Sequence, residues 1–201
     1  LRLAHLSVPA VQLIDVTGKA EFVAAIKMLS DDATKTGEAP ILQIETHGWD
    51  DLSGLAFADG SSLDWGALAS SLSDLNRATG FNLVVCLAAC FGGHFVGSLQ
   101  PNRPSPCFAL IGPTESLYPN ELLDSFKSFY EKLLTERDAS VALSALYQHK
   151  IREGRFLNTT AEDWFYKVAE VYLRLNCSPE DHKRRGDAII NEVRTRAGKL
   201  T

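Results

Sequence analysis

Hydrophobic positions along this chain follow two rhythms: short unbroken apolar runs, and longer stretches with an apolar residue every third or fourth position. The unbroken runs read as strands covered on both faces, the spaced ones as amphipathic helices. The strongest run, Asn82-Leu-Val-Val-Cys-Leu-Ala-Ala-Cys-Phe-Gly-Gly93, is rich in β-branched residues and too short for a buried helix. Ile41 to Thr46, Val11 to Val16, and Cys107 to Ile111 give three further strands, the last ended by Gly112-Pro113. Gly54 to Ala58 followed by Asp59-Gly60 reads as one arm of a small hairpin. Helical spacing covers Phe22, Ala25, Ile26 and Leu29 after an opening at Thr17-Gly18. It returns in Trp65, Leu68, Leu72 and Leu75, where Asp64 fits the N-cap and Gly80 the end. Glu121 to Leu134 carries a wide apolar stripe through Leu122, Phe126, Phe129, Tyr130 and Leu133. Shorter helices are expected from His94 to Leu99 and from a Ser140 cap through Tyr147, with Gly154 as a breaker. Thr160 and Asp163 open a long helix through Leu175, and Pro179 opens a polar C-terminal one. Asp31 to Pro40 and Pro101 to Pro106 read as loops. Alternation of this kind implies right-handed crossovers and a mostly parallel sheet with helices on both faces.

Composition narrows the function classes. A chain of 201 residues with 45% hydrophobic content is long enough to bury one sizeable core. Its 25 acidic and 20 basic residues leave a formal charge of −5, which implies no general affinity for nucleic acid. No apolar run approaches membrane-spanning length and no signal-peptide core stands at the front, so a soluble, cytoplasmic protein with no membrane partner is expected. Four irregularly spaced cysteines do not make a disulfide framework, and a reducing compartment suits a working thiol. Leu in the first position reads as a processed product or a piece of something longer.

Two strands deliver candidate chemistry in the same form. The Ile41 run ends in His47-Gly48, and the Asn82 run ends in Ala88-Ala-Cys90 with Gly92-Gly93 to turn the chain. A small-residue strand end presents a thiol at the rim of the sheet, where open α/β sheets bind ligands. Against this stands the ordinary role of cysteine as a small buried hydrophobe, which suits Cys86 and Cys107 on their apolar strands. Cys86, Cys90 and His94 recur at intervals of four, but the strand and the glycine pair break any common helix and zinc wants a fourth ligand. No metal or cofactor is expected. His94 competes with His47 as a base, yet it starts a helix and lacks a following glycine.

His47-Gly48, the strand ending in Asp59-Gly60, the helix, the apolar strand and Ala89-Cys90-Phe91-Gly92 together resemble the caspase-like cysteine peptidases, and most closely their CHAT branch. The run Phe129-Tyr-Glu-Lys-Leu-Leu-Thr-Glu-Arg-Asp-Ala-Ser-Val-Ala-Leu143 is similar to the helix pair that follows the last core strand of CHAT domains. The likeness covers roughly residues 11 to 150, and the separation of His47 and Cys90 is close to the ~50 residues of caspases. The resemblance implies a caspase-like three-layer α/β sandwich over 1–160, with 161–201 as a helical extension packed on the same domain. It implies a Cys90 nucleophile, His47 as acid/base, and an oxyanion hole from the backbone N–H groups of Gly48 and Cys90.

Thiolate is scarce for a free thiol near pKa ~8.5, so a neighbouring imidazole or a helix N-terminus has to shift the balance. Where caspases carry Gln and metacaspases Asp, two residues before the nucleophile, this chain has Ala88. Asp15, by resemblance, and the loop residues Asp50, Asp51 and Glu115 are candidates for lining a pocket for a basic side chain, and each is also an ordinary solvated carboxylate. The expected partners are a protein or peptide substrate and a sensor or repeat module, fused or separate. Two other classes fit the pattern: a catalytically silent caspase-like scaffold, and a flavodoxin-like domain that only binds a ligand.

Overall fold

The computed structural model describes residues 11–147 and 154–197. The chain divides into two compact units at Ala161/Glu162. In the first, a four-stranded sheet has the order β1-β5-β6-β7, built from β1 (Ile41–Glu45), β5 (Val84–Ala88), β6 (Ala109–Pro113) and β7 (Phe156–Thr160). β1, β5 and β6 run parallel, and β7 joins antiparallel to β6 through five residue pairs. A three-stranded antiparallel sheet follows β1, made of β2 (His47–Gly48), β3 (Gly54–Ala56) and β4 (Ser62–Asp64). The fold is mixed α/β with a mostly parallel main sheet.

β5 divides the core. Leu83, Val85, Leu87 and Ala89 enter one hydrophobic cluster with Phe22 and Ile26 of α1 (Lys19–Thr36) and Leu68, Leu72 and Leu75 of α2 (Trp65–Ala78). Val84, Cys86 and Ala88 meet the other cluster, with Phe126, Phe129 and Leu133 of α3 (Pro119–Glu136) and Ala142 of α4 (Ala139–Ala145). Alternate side chains thus face opposite helical layers, which is why the strand reads as a continuous apolar run. Each fully buried leucine contributes about 1.5–3 kcal/mol relative to exposure. A polar staple fixes where β5 starts: the buried Asn76 donates to Ser105 O (2.8 Å) and accepts from the Leu83 N–H (3.0 Å).

The structure corrects several expected elements. Val11 to Val16 forms no strand; Val11 and Leu13 are exposed, and β1 pairs only with β5 among the described residues. A β-prone segment needs a neighbour for its backbone groups, and none lies there. Asp31 to Pro40 is not a loop throughout, because α1 runs on to Thr36. Asp31 and Asp32 pair with Lys27 and Lys35, Ala33 is buried, and Gly37 at φ 72° closes the helix. Gly112 and Pro113 belong to β6 rather than ending it. Asp138, not Ser140, caps α4 by accepting from the N–H groups of Ser140 and Val141. β7 has no counterpart in the expected pattern, since Phe-Leu-Asn-Thr-Thr neither alternates nor forms an apolar run.

The second unit holds α5 (Ala161–Asn176, its first residue at the boundary) and α6 (Pro179–Ala197). Ser178, just before α6, and Asp181 in its first turn hydrogen-bond reciprocally, and Arg185 Nη1 donates to Asn176 O (2.5 Å).

The 3₁₀ turn Gly92–Ser98 lies against β6 with no room to spare: a Cβ on Gly112 would stand 2.8 Å from Gly93 N and 2.9 Å from the Gly92 carbonyl carbon. Both are backbone atoms and neither yields cheaply. Gly112→Ala is expected to lose about 1–3 kcal/mol of stability, read as a lower urea midpoint. Gly97→Ala, where a Cβ meets nothing within 4 Å, is expected to leave it unchanged.

Candidate active site

Parallel pairing sets the site's geometry. β1 and β5 are in register, with Glu45 opposite Ala88, so His47 and Cys90 each stand two residues past a matched pair. After β1 the chain enters β2, where His47 pairs with Ala56 and Gly48 with Leu55. That path carries the Gly48 backbone against Cys90. A Cβ on Gly48 would stand 1.8 Å from the Cys90 carbonyl oxygen, so no side chain fits at this position. The two strand ends named from the sequence are brought together.

Cys90 sits on a sharp turn. Phe91 has φ 62°, the left-handed region that a bulky residue rarely adopts. The turn was expected at the glycine pair, but neither Gly92 nor Gly93 has a positive φ. Glycine is needed there for packing, since a Cβ on Gly92 would meet Leu87 Cβ at 2.7 Å and one on Gly93 would meet Gly112 O at 3.0 Å. The Phe91 N–H is used by Glu115 O (3.3 Å) and the Gly92 N–H by Ala89 O (3.0 Å). Among the described residues the Cys90 N–H has no partner, which leaves one backbone donor at the strand end. The helix expected from His94 is a seven-residue 3₁₀ turn, Gly92–Ser98.

The half-buried Cys90 sulfur lies 3.4 Å from Ser116 Oγ and 3.7 Å from Leu117 O. His47 is exposed, and among the described residues its imidazole makes no hydrogen bond. The backbones of the two strand ends are therefore adjacent, while no hydrogen bond joins the His47 and Cys90 side chains.

The other candidates are spread more widely. Glu115 lies in the loop after β6, where its carboxylate accepts from Arg155 Nε, so it is paired rather than free. Asp50 is exposed in the turn after Gly48, and the Ser53 hydroxyl together with the Ser53 N–H, which donates to Asp51 Oδ1, holds the Asp51 carboxyl below the usual range. Ala88 ends β5 and packs toward the α3/α4 cluster. Asp15 is exposed in the unpaired segment before Thr17 and shares no hydrogen bond with the site among the described residues. His94 is exposed, its Nε2 3.1 Å from Thr114 O. Cys86 and Cys107 are core residues; burial pushes the Cys86 thiol up to about 11 and the Cys107 thiol up to about 12. A groove of about 590 Å³ lies between α2 and the 94–106 segment, lined by Trp65, Ser73, Arg77, His94 and Arg103, and neither Cys90 nor His47 lines it. No cluster suited to a metal ion occurs among the described residues, and no described helix is long and apolar enough to cross a membrane.

Sequence reasoning missed Ser116 and Arg155. Ser116 reaches the Cys90 sulfur, and Arg155 reaches Ser116, only through the pairing of β6 with β5 and β7, and no local motif marks them. Comparison of the chain with protein-family models, curated proteins and solved structures found no match.

The thiols differ enough to be told apart in solution. At pH 7 a thiol with pKa near 11 holds only ~10⁻⁴ of its population as thiolate. In native protein iodoacetamide is expected to label Cys90 and Cys177, both half-buried, and to spare Cys86 and Cys107 until urea unfolds the chain, as mapped by mass spectrometry.

Proposed function

We propose that this chain is a cysteine endopeptidase of the caspase-like, CHAT type, with Cys90 as nucleophile and His47 as acid/base. The observation that carries the reading is the contact of the Gly48 backbone with Cys90, which places a His-Gly strand end and a Cys strand end side by side. The Cys90 N–H, which would offer a donor for an oxyanion, and the half-buried rather than buried thiol beside the αL turn at Phe91 support it.

In this mechanism His47 accepts the thiol proton and the sulfur attacks the scissile carbonyl carbon. Negative charge builds on the carbonyl oxygen, where the N–H groups of Gly48 and Cys90 receive it; one such donor is worth ~2.7–4 kcal/mol in the transition state. The imidazolium then gives its proton to the leaving amine, the C–N bond breaks, and a thioester remains on Cys90. Water, deprotonated by His47, hydrolyses that thioester and restores the thiol. Exposed carboxylates beside the strand ends, among them Asp50, fit a basic residue on the acyl side of the cleaved bond. A sensor or repeat module is the proposed regulator.

The silent-scaffold reading draws on one observation, the thiol's contacts with Ser116 and Leu117 in place of His47. A peptide library with mass-spectrometric readout separates the two. Cys90→Ala and His47→Ala are each expected to lower cleavage at least 10³-fold. Gly48→Ala is expected to match them, because its Cβ overlaps Cys90 O. Cleavage that survives Cys90→Ala would remove the dyad, and its absence from wild type with native partners added would leave the scaffold.

A further inference from the structure

The loop after β6 is anchored at every residue from Thr114 to Tyr118. Thr114 donates its N–H to Arg155 O (2.8 Å) and its hydroxyl to Gly154 O (2.9 Å). Glu115 O accepts from the Phe91 N–H, and the Glu115 carboxylate accepts from Arg155 Nε. Ser116 O accepts from Arg155 Nη2 (3.3 Å), while Ser116 Oγ stands 3.4 Å from Cys90 Sγ. Leu117 is buried, and its carbonyl is the sulfur's second partner. The Tyr118 N–H donates to Glu121 Oε2 (2.8 Å), and Glu121 Oε1 accepts from Arg155 Nη1 (3.4 Å). One guanidinium, its side chain 23% exposed, thus ties the loop to the start of α3.

We propose that Ser116 is a further active-site residue, its hydroxyl donating to the Cys90 sulfur when the thiol proton leaves, and that Arg155 is the positioning residue that holds it there. The proposal rests on the Cys90/His47 reading and deepens it. Protonated, the thiol donates to Leu117 O. Once the proton moves to His47, that carbonyl has nothing to offer the thiolate, and the Ser116 O–H is the side-chain donor within reach.

Arg155 acts by shape rather than charge. Its positive charge faces two carboxylates, Glu115 and Glu121, so the trio carries no net positive field toward the sulfur. What it supplies is a planar fork with three separate acceptors, which a lysine cannot reproduce. The other titratable groups around the turn are His47 on β2, His94 on the 3₁₀ turn and Glu45 at the end of β1.

The test is the pH dependence of iodoacetamide alkylation at Cys90, mapped by mass spectrometry in the full chain. A hydrogen bond to a charged group predicts that Ser116→Ala slows labelling at pH 7 about tenfold and moves the profile up by about one pH unit. Ser116→Thr keeps the hydroxyl and is expected to restore the wild-type profile. Arg155→Lys is expected to behave like Ser116→Ala. Protection of Cys107 in each variant reports that the fold is intact. An unchanged profile in Ser116→Ala, or a Thr variant as slow as the Ala variant, would overturn the role of the hydroxyl; a wild-type profile in Arg155→Lys would overturn the clamp. Alkylation needs no peptide, so a shift in Ser116→Ala, together with no peptide cleavage by wild type with native partners added, would sink the peptidase reading and keep only the hydroxyl's contact with the thiolate.

Discussion

Everything about the candidate site depends on one close approach, the Gly48 backbone against the Cys90 carbonyl. Parallel pairing of β1 and β5 brings the two strand ends level, but level strands alone leave their side chains a strand spacing apart. The turn into β2 closes that distance, and it is open only to a residue without a Cβ. The small antiparallel sheet enforces the turn, because His47 and Gly48 are paired to Ala56 and Leu55 and Leu55 is fully buried in the α1/α2 cluster. Core packing is thereby converted into the position of two backbone atoms at the rim.

The far side of Cys90 is built by a different device. There the 3₁₀ turn packs on β6 through glycine backbones, and a polar loop tied by Arg155 brings Ser116 Oγ to 3.4 Å from the sulfur. Apolar packing fixes the strand, whereas hydrogen bonds fix the loop. Catalytic precision asks for such locking, since a group misplaced by an ångström loses most of its effect. A loop held at each of five consecutive residues has little freedom left to lose when a substrate arrives.

The sequence made β1, β5 and β6 legible, and with them the placing of His47 and Cys90 just past the ends of β1 and β5, because these rest on local patterns: unbroken apolar runs, and a residue followed by small ones. Asp64 as a cap and Leu68, Leu72 and Leu75 as core were legible for the same reason. Val11 to Val16 failed as a strand because strand formation is settled by a partner's presence, which no window of one segment contains. β7 was missed from the opposite side, since tertiary pairing with β6 imposes a strand on a segment of middling propensity. The continuation of α1 through Asp31 and Asp32 was hidden because polar residues read as loop, although on a solvated helix face they pair at i,i+3 and i,i+4. Ser116 and Arg155 lie beyond any local reading, being neighbours of Cys90 only after three strands have paired.

Three cysteines of the first unit show how far environment outweighs residue type. Cys86 and Cys90 lie four positions apart on the same run, yet one is sealed between β5 and α3 beside Tyr130 and the other is half-buried at a left-handed turn. Burial penalises thiolate at Cys86 and again at Cys107, where no polar group offsets it. At Cys90 the chain supplies instead a hydroxyl, a carbonyl, a free N–H and a histidine strand within the reach of one turn. A cysteine serving only as a small hydrophobe, as Cys86 and Cys107 do in the core, needs none of these. The contrast lies in position, since the same residue type four places apart is sealed in the core in one case and left half-buried at the strand's end in the other.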